Sequence, residues 1–223
     1  MRMLFQHCNL QFPNKDLLPF CSACCMGKAH RLSSISSTTQ YNSPLELIFI
    51  DLWGPSPMQS ENKYLYYMSI VDAHSRFTWI YLLKTKSEAL ETFKHYKTMV
   101  ELQFNNKIKS VQTDWGGEFR PFTTYIKQFG ILHRIICPYT HHQNGVVEKK
   151  HHHIVELGLS LLSQASLPLS FWDHAFTTAV YLINRLPSAS LKCNTPYTTL
   201  FHVAPNYQFL KVFGCACFPL LRP

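Results

Sequence analysis

Three acidic side chains stand where segments of regular structure are predicted to end or begin. Asp51 follows the apolar stretch LIFI, Asp114 closes the segment IKSVQTD, and Glu148 follows QNGVV near the start of a predicted helix. An ionised carboxylate in an apolar strand is unfavourable unless it is paired or binds a cation. Carboxylate oxygens from several elements suit Mg²⁺ or Mn²⁺ better than Zn²⁺. The three acids therefore indicate a divalent-cation site, provided that the fold brings them together.

Each of these acids also has an ordinary structural explanation. Asp51 can cap a turn, Asp114 can form an Asx-turn with Gly116, and Glu148 can stabilise the first turn of a helix. Their spacing alone does not decide between a turn residue and a cation ligand.

Three β-rich segments, followed by alternating helices and strands, supply the framework for these acids. The first three are LELIFIDLWGP, KYLYYMSIVDAHS and RFTWIYLLK. Apolar residues spaced by three and four in KSEALETFKHYKTMVELQFNN predict a helix with Ser87 as its N-cap. The later elements are the strand IKSVQTD, the helix EFRPFTTYIKQFG stopped by Gly130, the strand ILHRIIC, a helix from Gly145 to about Gln164, and the helix LSFWDHAFTTAVYLINRLP. This order predicts a mixed α/β sheet with helices on its faces.

Composition limits the class of protein and the compartment. Hydrophobic residues make up 46% of the 223 residues and the formal net charge is +8, so a folded core and a polyanionic partner such as nucleic acid are expected. No apolar run reaches the roughly 18 to 20 residues of a membrane span, and the N-terminus lacks a signal-peptide pattern. The chain is therefore expected in the nucleus or cytoplasm and not secreted, with its eight cysteines mostly reduced.

The stretch PYTHHQNGVVEKKHHHIVE could be a histidine metal site, a basic surface or the setting of one carboxylate. Three consecutive histidines point about 100° apart on a helix and cannot share one metal. No cysteine pair with zinc spacing lies near His141 and His142. The favoured interpretation is a phosphate-facing surface, and a solvated polar face is the alternative, with Lys149, Lys150 and His153 on the wetter side. The predicted nucleic-acid contacts are Asn144, Gly145, Lys149, Lys150, His151 and His152, and loop 137–147 is predicted to close over substrate.

Several motifs together resemble one family. The integrase of copia-type LTR retrotransposons is similar to this chain from residue 44 to the end, through TDWGGEF, PYTHHQNGVVEKKHHHIVE and VFGCACF in this order along the chain, and through VDAHSRFTWIY as well. The resemblance implies a ribonuclease H-like five-stranded mixed sheet with a C-terminal helical extension. It also implies a catalytic triad of Asp51, Asp114 and Glu148 that binds two Mg²⁺ or Mn²⁺ ions.

The same resemblance implies an activity and its partners. A DDE polynucleotidyl transferase would process the DNA ends of the element and join them to target DNA, working as a homo-oligomer. The alternative is a catalytically inactive nucleic-acid-binding or assembly module that keeps the fold alone. Salt-sensitive DNA binding without cation-dependent cleavage would indicate the alternative.

The N-terminal segment carries a C-x-x-C pair, Cys21 and Cys24, in CSACC. It resembles the end of the family's HHCC zinc module, whose histidines lie upstream, and His7 and His30 do not have their placement. A truncated module with weak or absent zinc binding is expected. The predicted division is therefore 1–43 as module remnant and linker, 44–165 as catalytic core, and 166–223 as helical extension and tail.

Overall fold

One mixed sheet forms the centre of the structure, a computed structural model that describes residues 39–114, 116–136 and 145–217. Its strands are β1 (Ile48–Trp53), β2 (Tyr66–Asp72), β3 (Thr78–Leu83), β4 (Ser110–Thr113) and β5 (Leu132–Ile135), in the order β3-β2-β1-β4-β5. The first three strands pair antiparallel, and β4 and β5 add in parallel to β1. The prediction of a five-stranded mixed sheet is confirmed.

The chain divides into two compact units, residues 1–39 and 40–223. The predicted zinc-module cysteines Cys21 and Cys24 and the predicted contact Asn144 lie outside the described residues, as does most of the predicted closing loop.

Five α-helices lie within the described residues. They are α1 (Ala89–Phe104), α2 (Arg120–Lys127), α3 (Gly145–Gln164), α4 (Trp172–Ile183) and α5 (Pro196–Phe201). The helix predicted from Gly145 to about Gln164 is confirmed, as is the predicted order of strands and helices. Helix α5 was not predicted, although Thr195 supplies an ordinary N-cap by accepting a hydrogen bond from the Thr198 N–H, and Pro196 follows it. No helix within the described ranges is long and apolar enough to cross a membrane.

The start of α1 differs from the prediction. Ser87 is not the N-cap, because a turn of 3₁₀-helix over Lys86–Glu88 precedes α1 and begins after Thr85. The Glu88 carboxylate accepts hydrogen bonds from the Thr85 N–H at 3.1 Å and from the Thr85 hydroxyl at 3.0 Å. A threonine followed three residues later by glutamate closes a helix start in this way, and it outcompetes the serine between them.

Alternation along β1 decides which residues meet which helices. Ile48 and Ile50 face a core shared with α1 and α2, whereas Phe49 packs in a second cluster with Val71 and with Val147 of α3. Since successive side chains of a strand point to opposite faces, Asp51 lies on the face of Phe49, the face that α3 covers. The pleat therefore directs Asp51 towards the helix that carries Glu148.

Close packing between α3 and α4 depends on a glycine. A Cβ atom on Gly158 would lie 2.3 Å from Cδ1 and 2.7 Å from Cε1 of the buried Phe176. We expect Gly158→Ala to lower the free energy of unfolding by about 1 to 3 kcal/mol, because overpacking outweighs the helix propensity of alanine. Urea unfolding measures this effect, with the exposed Ser163→Ala on the same helix as the neutral control. Unchanged or greater stability of Gly158→Ala would show that the two helices separate freely.

Candidate active site

Asp51 is the partly buried centre of an acidic cluster. It lies in β1 opposite Ser69 of β2. Burial, as the largest cause, and the negative charges of Asp114, Glu148 and Glu118 together raise the pKa of Asp51 from 3.8 to about 6, against the lowering effect of a hydrogen bond with the backbone of Leu52. The structure thus brings Asp114 and Glu148 close enough to Asp51 for their charges to act on it.

Asp114 reaches this cluster because β4 lies beside β1 in parallel. The strand ends at Thr113, and the exposed carboxylate of Asp114 follows at its carboxyl end, where functional groups of such sheets gather. Its Oδ1 accepts a hydrogen bond from the Gly116 N–H at 3.1 Å. The Asx-turn with Gly116 is therefore confirmed, and the role of Asp114 as a cation ligand stays a prediction.

Glu148 enters from the first turn of α3. Val147, the residue before it, is fully buried with Phe49 and Val71. This anchor sets the first turn of α3 against β1, and the next side chain, that of Glu148, is exposed at the cluster.

A fourth carboxylate, that of Glu118, was not singled out from the sequence. It sits in the 3₁₀ turn Gly117–Phe119, where Phe119 is buried, and forms an ion pair with Lys86 at 3.1 Å. A Cβ atom on Gly116 would lie 2.9 Å from Oε2 of Glu118 and 3.1 Å from Oδ1 of Asp114, so Gly116 lets the two acids approach. The only signal in the sequence was the acid inside the motif TDWGGEF.

The donors of the cluster suit a hard divalent cation. They are all carboxylate oxygens, which Mg²⁺ and Mn²⁺ prefer, and a cation would relieve the repulsion that raises the pKa of Asp51. Within the described ranges, no three His, Cys, Asp or Glu side chains are close enough to hold one ion as they stand. The site in this structure is therefore a group of neighbouring carboxylates with the right ligand chemistry.

His151 packs inward beside the acids. Its Nδ1 shares a hydrogen bond with the Tyr67 hydroxyl, and its ring centroid lies 5.8 Å from that of Trp53. Burial lowers the pKa of His151, and the neighbouring His152 lowers it further. Burial, with the charge of Asp51 as a smaller cause, raises the pKa of Tyr67. A neutral His151 and a neutral Tyr67 thus join α3 to β2 one turn beyond Glu148, and sequence reasoning missed Tyr67 and Trp53.

The other predicted contacts on α3 divide between its sides. His152 is exposed and lies 3.0 Å from the Glu156 carboxylate, Lys149 is exposed, and Gly145 is the first residue of the helix. Lys150 was expected on the wetter surface with Lys149 and His153, and it lines the same cavity as they do but is half-buried there. Burial lowers its pKa to about 8, and the charge of Arg76 contributes. A contact with nucleic acid by any of these residues stays a prediction.

Sequence comparisons agree with the motifs. Residues 42–141 match the family model described as the integrase core domain. The chain is 47% identical over 211 residues to the retrovirus-related Pol polyprotein from transposon RE2 of Arabidopsis thaliana, covering 95% of the chain and 14% of that protein. It is 38% identical over 200 residues to the Pol polyprotein from transposon TNT 1-94 of Nicotiana tabacum, covering 89% and 15%. The chain thus spans about one seventh of the length of these curated relatives.

Solved structures share the fold. A chain of the simian T-cell lymphotropic virus intasome in complex with PP2A regulatory subunit B56 gamma aligns with a TM-score of 0.60 at 20% identity, over 91% of this chain and 69% of that one. The HTLV-2 integrase catalytic core domain in complex with magnesium aligns with a TM-score of 0.50 at 21% identity, over 70% and 96%. The predicted ribonuclease H-like fold is thereby confirmed. The motifs, the sheet order and the plant relatives agree: residues 42–141 match the integrase core domain family, and the chain is similar to the Pol polyproteins of plant LTR retrotransposons.

Proposed function

We propose that this chain is the catalytic part of a retrotransposon integrase, which processes DNA ends and joins them to target DNA. The observation that carries the proposal is the convergence of Asp114 and Glu148 on the partly buried Asp51. These are the positions that the family motifs single out, and they come from two parallel strands and the helix that covers them. The excess of basic residues, +8 at pH 7, supports a polyanionic substrate.

In this proposal Asp51, Asp114 and Glu148 would hold two Mg²⁺ or Mn²⁺ ions. Bound ions of this kind activate water or a 3′-hydroxyl for in-line attack and stabilise the leaving oxygen. Asp51 supplies a ligand from a rigid central strand, whereas Asp114 and Glu148 are exposed towards a phosphate arriving from solvent. The packing of His151 on Tyr67 keeps the first turns of α3 in register with β1 and β2, so that Glu148 stays directed at the cluster.

The partners in this proposal are DNA and further copies of the chain. The simian virus relative is part of an intasome, and the HTLV-2 catalytic core is described in dimeric and trimeric forms bound to magnesium. We propose corresponding DNA binding and self-association for this chain, with chromosomal DNA as the target and hence the nucleus as the compartment.

A disintegration assay on branched DNA with Mn²⁺ tests the activity. Disintegration is the reverse of strand joining, and it depends less than joining does on parts of an integrase outside the catalytic core. We expect the wild type to resolve the branched substrate, with no product in EDTA. Glu148→Gln is expected to reduce the rate by about 100-fold or more, because one ligand charge is lost at an unchanged side-chain volume. Far-ultraviolet circular dichroism and DNA binding should be unchanged in the variant.

The alternative function makes the opposite prediction for the same assay. A folded wild type that binds DNA but yields no product with any divalent cation would indicate a non-catalytic binding module. Equal rates for the wild type and Glu148→Gln would remove Glu148 from the proposed site.

A further inference from the structure

A basic cavity lies on the side of α3 that faces away from the acidic cluster. Its volume is about 330 Å³, and its lining includes Arg76, Lys149, Lys150, His153, Ser188 and Ser190. At about 100° per residue, Lys149, Lys150 and His153 project roughly 100° to 200° around the helix from Glu148. We call these residues the reverse pocket.

A buried carboxylate holds the first wall of the reverse pocket in place. Asp72 accepts hydrogen bonds through Oδ2 from the Ser75 N–H at 2.7 Å and the Ser75 hydroxyl at 2.6 Å. Its Oδ1 accepts from the Leu45 N–H at 2.9 Å. These bonds close the turn between β2 and β3, in which Arg76 adopts a left-handed backbone with φ of 59°. The position of the Arg76 backbone is therefore set before any ligand arrives.

A buried amide holds the second wall. Asn184, just beyond α4, accepts a hydrogen bond from the Thr78 N–H at 2.9 Å and donates to the Thr78 carbonyl at 2.7 Å. This pair ties the end of α4 to the start of β3, two residues after Arg76. The segment that follows carries Ser188 and Ser190, whose hydroxyls lie 2.9 Å apart. The serines and Arg76 are thus attached to the same strand.

The chemistry of the reverse pocket is that of a phosphate site. Within the described residues, Arg76, Lys149 and Lys150 form no ion pair with a carboxylate. A guanidinium, two ammonium groups and two hydroxyls supply donors for several phosphate oxygens at once, and they repel metal cations. The exposed position of Lys149 leaves the reverse pocket open to solvent, as a polymeric anion requires.

We propose that the reverse pocket binds a backbone phosphate of DNA at a second point, apart from the phosphate that reacts. The identity of the polymer rests on the proposed function. Asp72 pairs with Ile48 whereas Asp51 pairs with Ser69, so three residues along β1 separate Asp51 from the start of the turn that carries Arg76. That is roughly 10 Å along the strand direction. Two contacts at this separation orient the DNA relative to the carboxylates.

Fluorescence anisotropy of a labelled DNA duplex in EDTA, at increasing KCl, tests this proposal without any catalysis. We expect Arg76→Gln/Lys150→Gln to weaken binding about tenfold at low salt. The slope of log K against log[KCl] should fall by about one, because one phosphate contact is lost. The matched control is Lys127→Gln, which removes one exposed cation at the far end of α2 and should change binding less than twofold. Lys149→Gln, at an exposed position, supplies a second variant that keeps the fold and should weaken binding about threefold.

The outcomes separate this proposal from the proposed function. If Arg76→Gln/Lys150→Gln and Lys149→Gln both bind the duplex with the affinity and salt slope of the wild type, the reverse pocket does not bind DNA. Disintegration by the wild type would still support the proposed enzyme activity in that case. No DNA binding by the wild type would overturn both. A third outcome is that millimolar inorganic phosphate stabilises the wild type more than the double variant, while the two bind the duplex equally. The pocket would then bind a free anion, and the proposal of a DNA phosphate would be wrong.

Discussion

Replacing Asp51 with asparagine is expected to lower the disintegration rate by roughly 1,000-fold, equivalent to about 4 kcal/mol of transition-state stabilisation. Asparagine keeps the size of the side chain but removes the charge nearest the centre of the acidic cluster. DNA binding should stay within twofold of the wild type, because the change removes no positive charge. Single-turnover disintegration with Mn²⁺ measures the first quantity and fluorescence anisotropy the second.

Glu118→Gln is the matched control for this prediction. Glu118 also raises the pKa of Asp51, yet its carboxylate is engaged by Lys86 at 3.1 Å and lies outside the family triad. We expect less than a tenfold loss of rate in Glu118→Gln. A larger loss of rate in Glu118→Gln than in Asp51→Asn would show that Glu118, and not Asp51, is the more important acid for the reaction.

The stability of the protein should depend on pH through Asp51 when divalent cations are absent. The pKa of Asp51 is about 6 in the folded protein, compared with an ordinary value of 3.8 for an aspartate side chain. The folded state therefore binds this proton more tightly, and the associated stability is complete below pH 3.8 and is lost as pH rises through about 6. At pH 7.5 in EDTA, we expect Asp51→Asn to exceed the wild type in free energy of unfolding by about 2 kcal/mol, a value already reduced for the partial exposure of Asp51.

Urea unfolding between pH 4 and pH 8 checks this sign, with Glu91→Gln as the control. Glu91 is an exposed acid of α1 paired with Lys94, so its replacement should change stability by less than about 0.5 kcal/mol. Adding Mg²⁺ at pH 7.5 should raise the melting temperature of the wild type and leave that of Asp51→Asn nearly unchanged. Lower stability of Asp51→Asn at every pH would show that the carboxylate is favourable in the folded state.

Local patterns predicted the elements because regular structure follows from periodicity. Helix α3 begins and ends as its apolar spacing predicted, since Val147, Ile154, Gly158 and Leu162 recur on one buried face. Ser87 failed as an N-cap and α5 was missed, because capping depends on which of several competing side chains closes the turn. Serine and threonine are both favourable N-cap residues, so residue type alone does not choose between them. The hydrogen bonds that form at the turn decide which residue caps the helix.

Contacts between elements that are distant in the chain could not be predicted from the sequence. Lys150 was expected on the wetter surface of α3. The structure half-buries it beside Arg76 and the segment after α4, because Asn184 ties that segment to β3. The hydrogen bond between Tyr67 and His151 likewise joins residues from different elements. The spacing of residues in the sequence predicts neither contact.

By itself, the sequence determined the order of strands and helices, the family motifs and the three acids that lie in or beside those elements. Only the tertiary structure decided that burial and neighbouring charges raise the pKa of Asp51 to about 6, that Glu118 joins the group, and that the cations of α3 face a cavity on its far side. The physical reason is that periodicity and turn chemistry act between near neighbours in the chain. Desolvation and electrostatic interaction depend on distances that exist only once the sheet and its helices have packed.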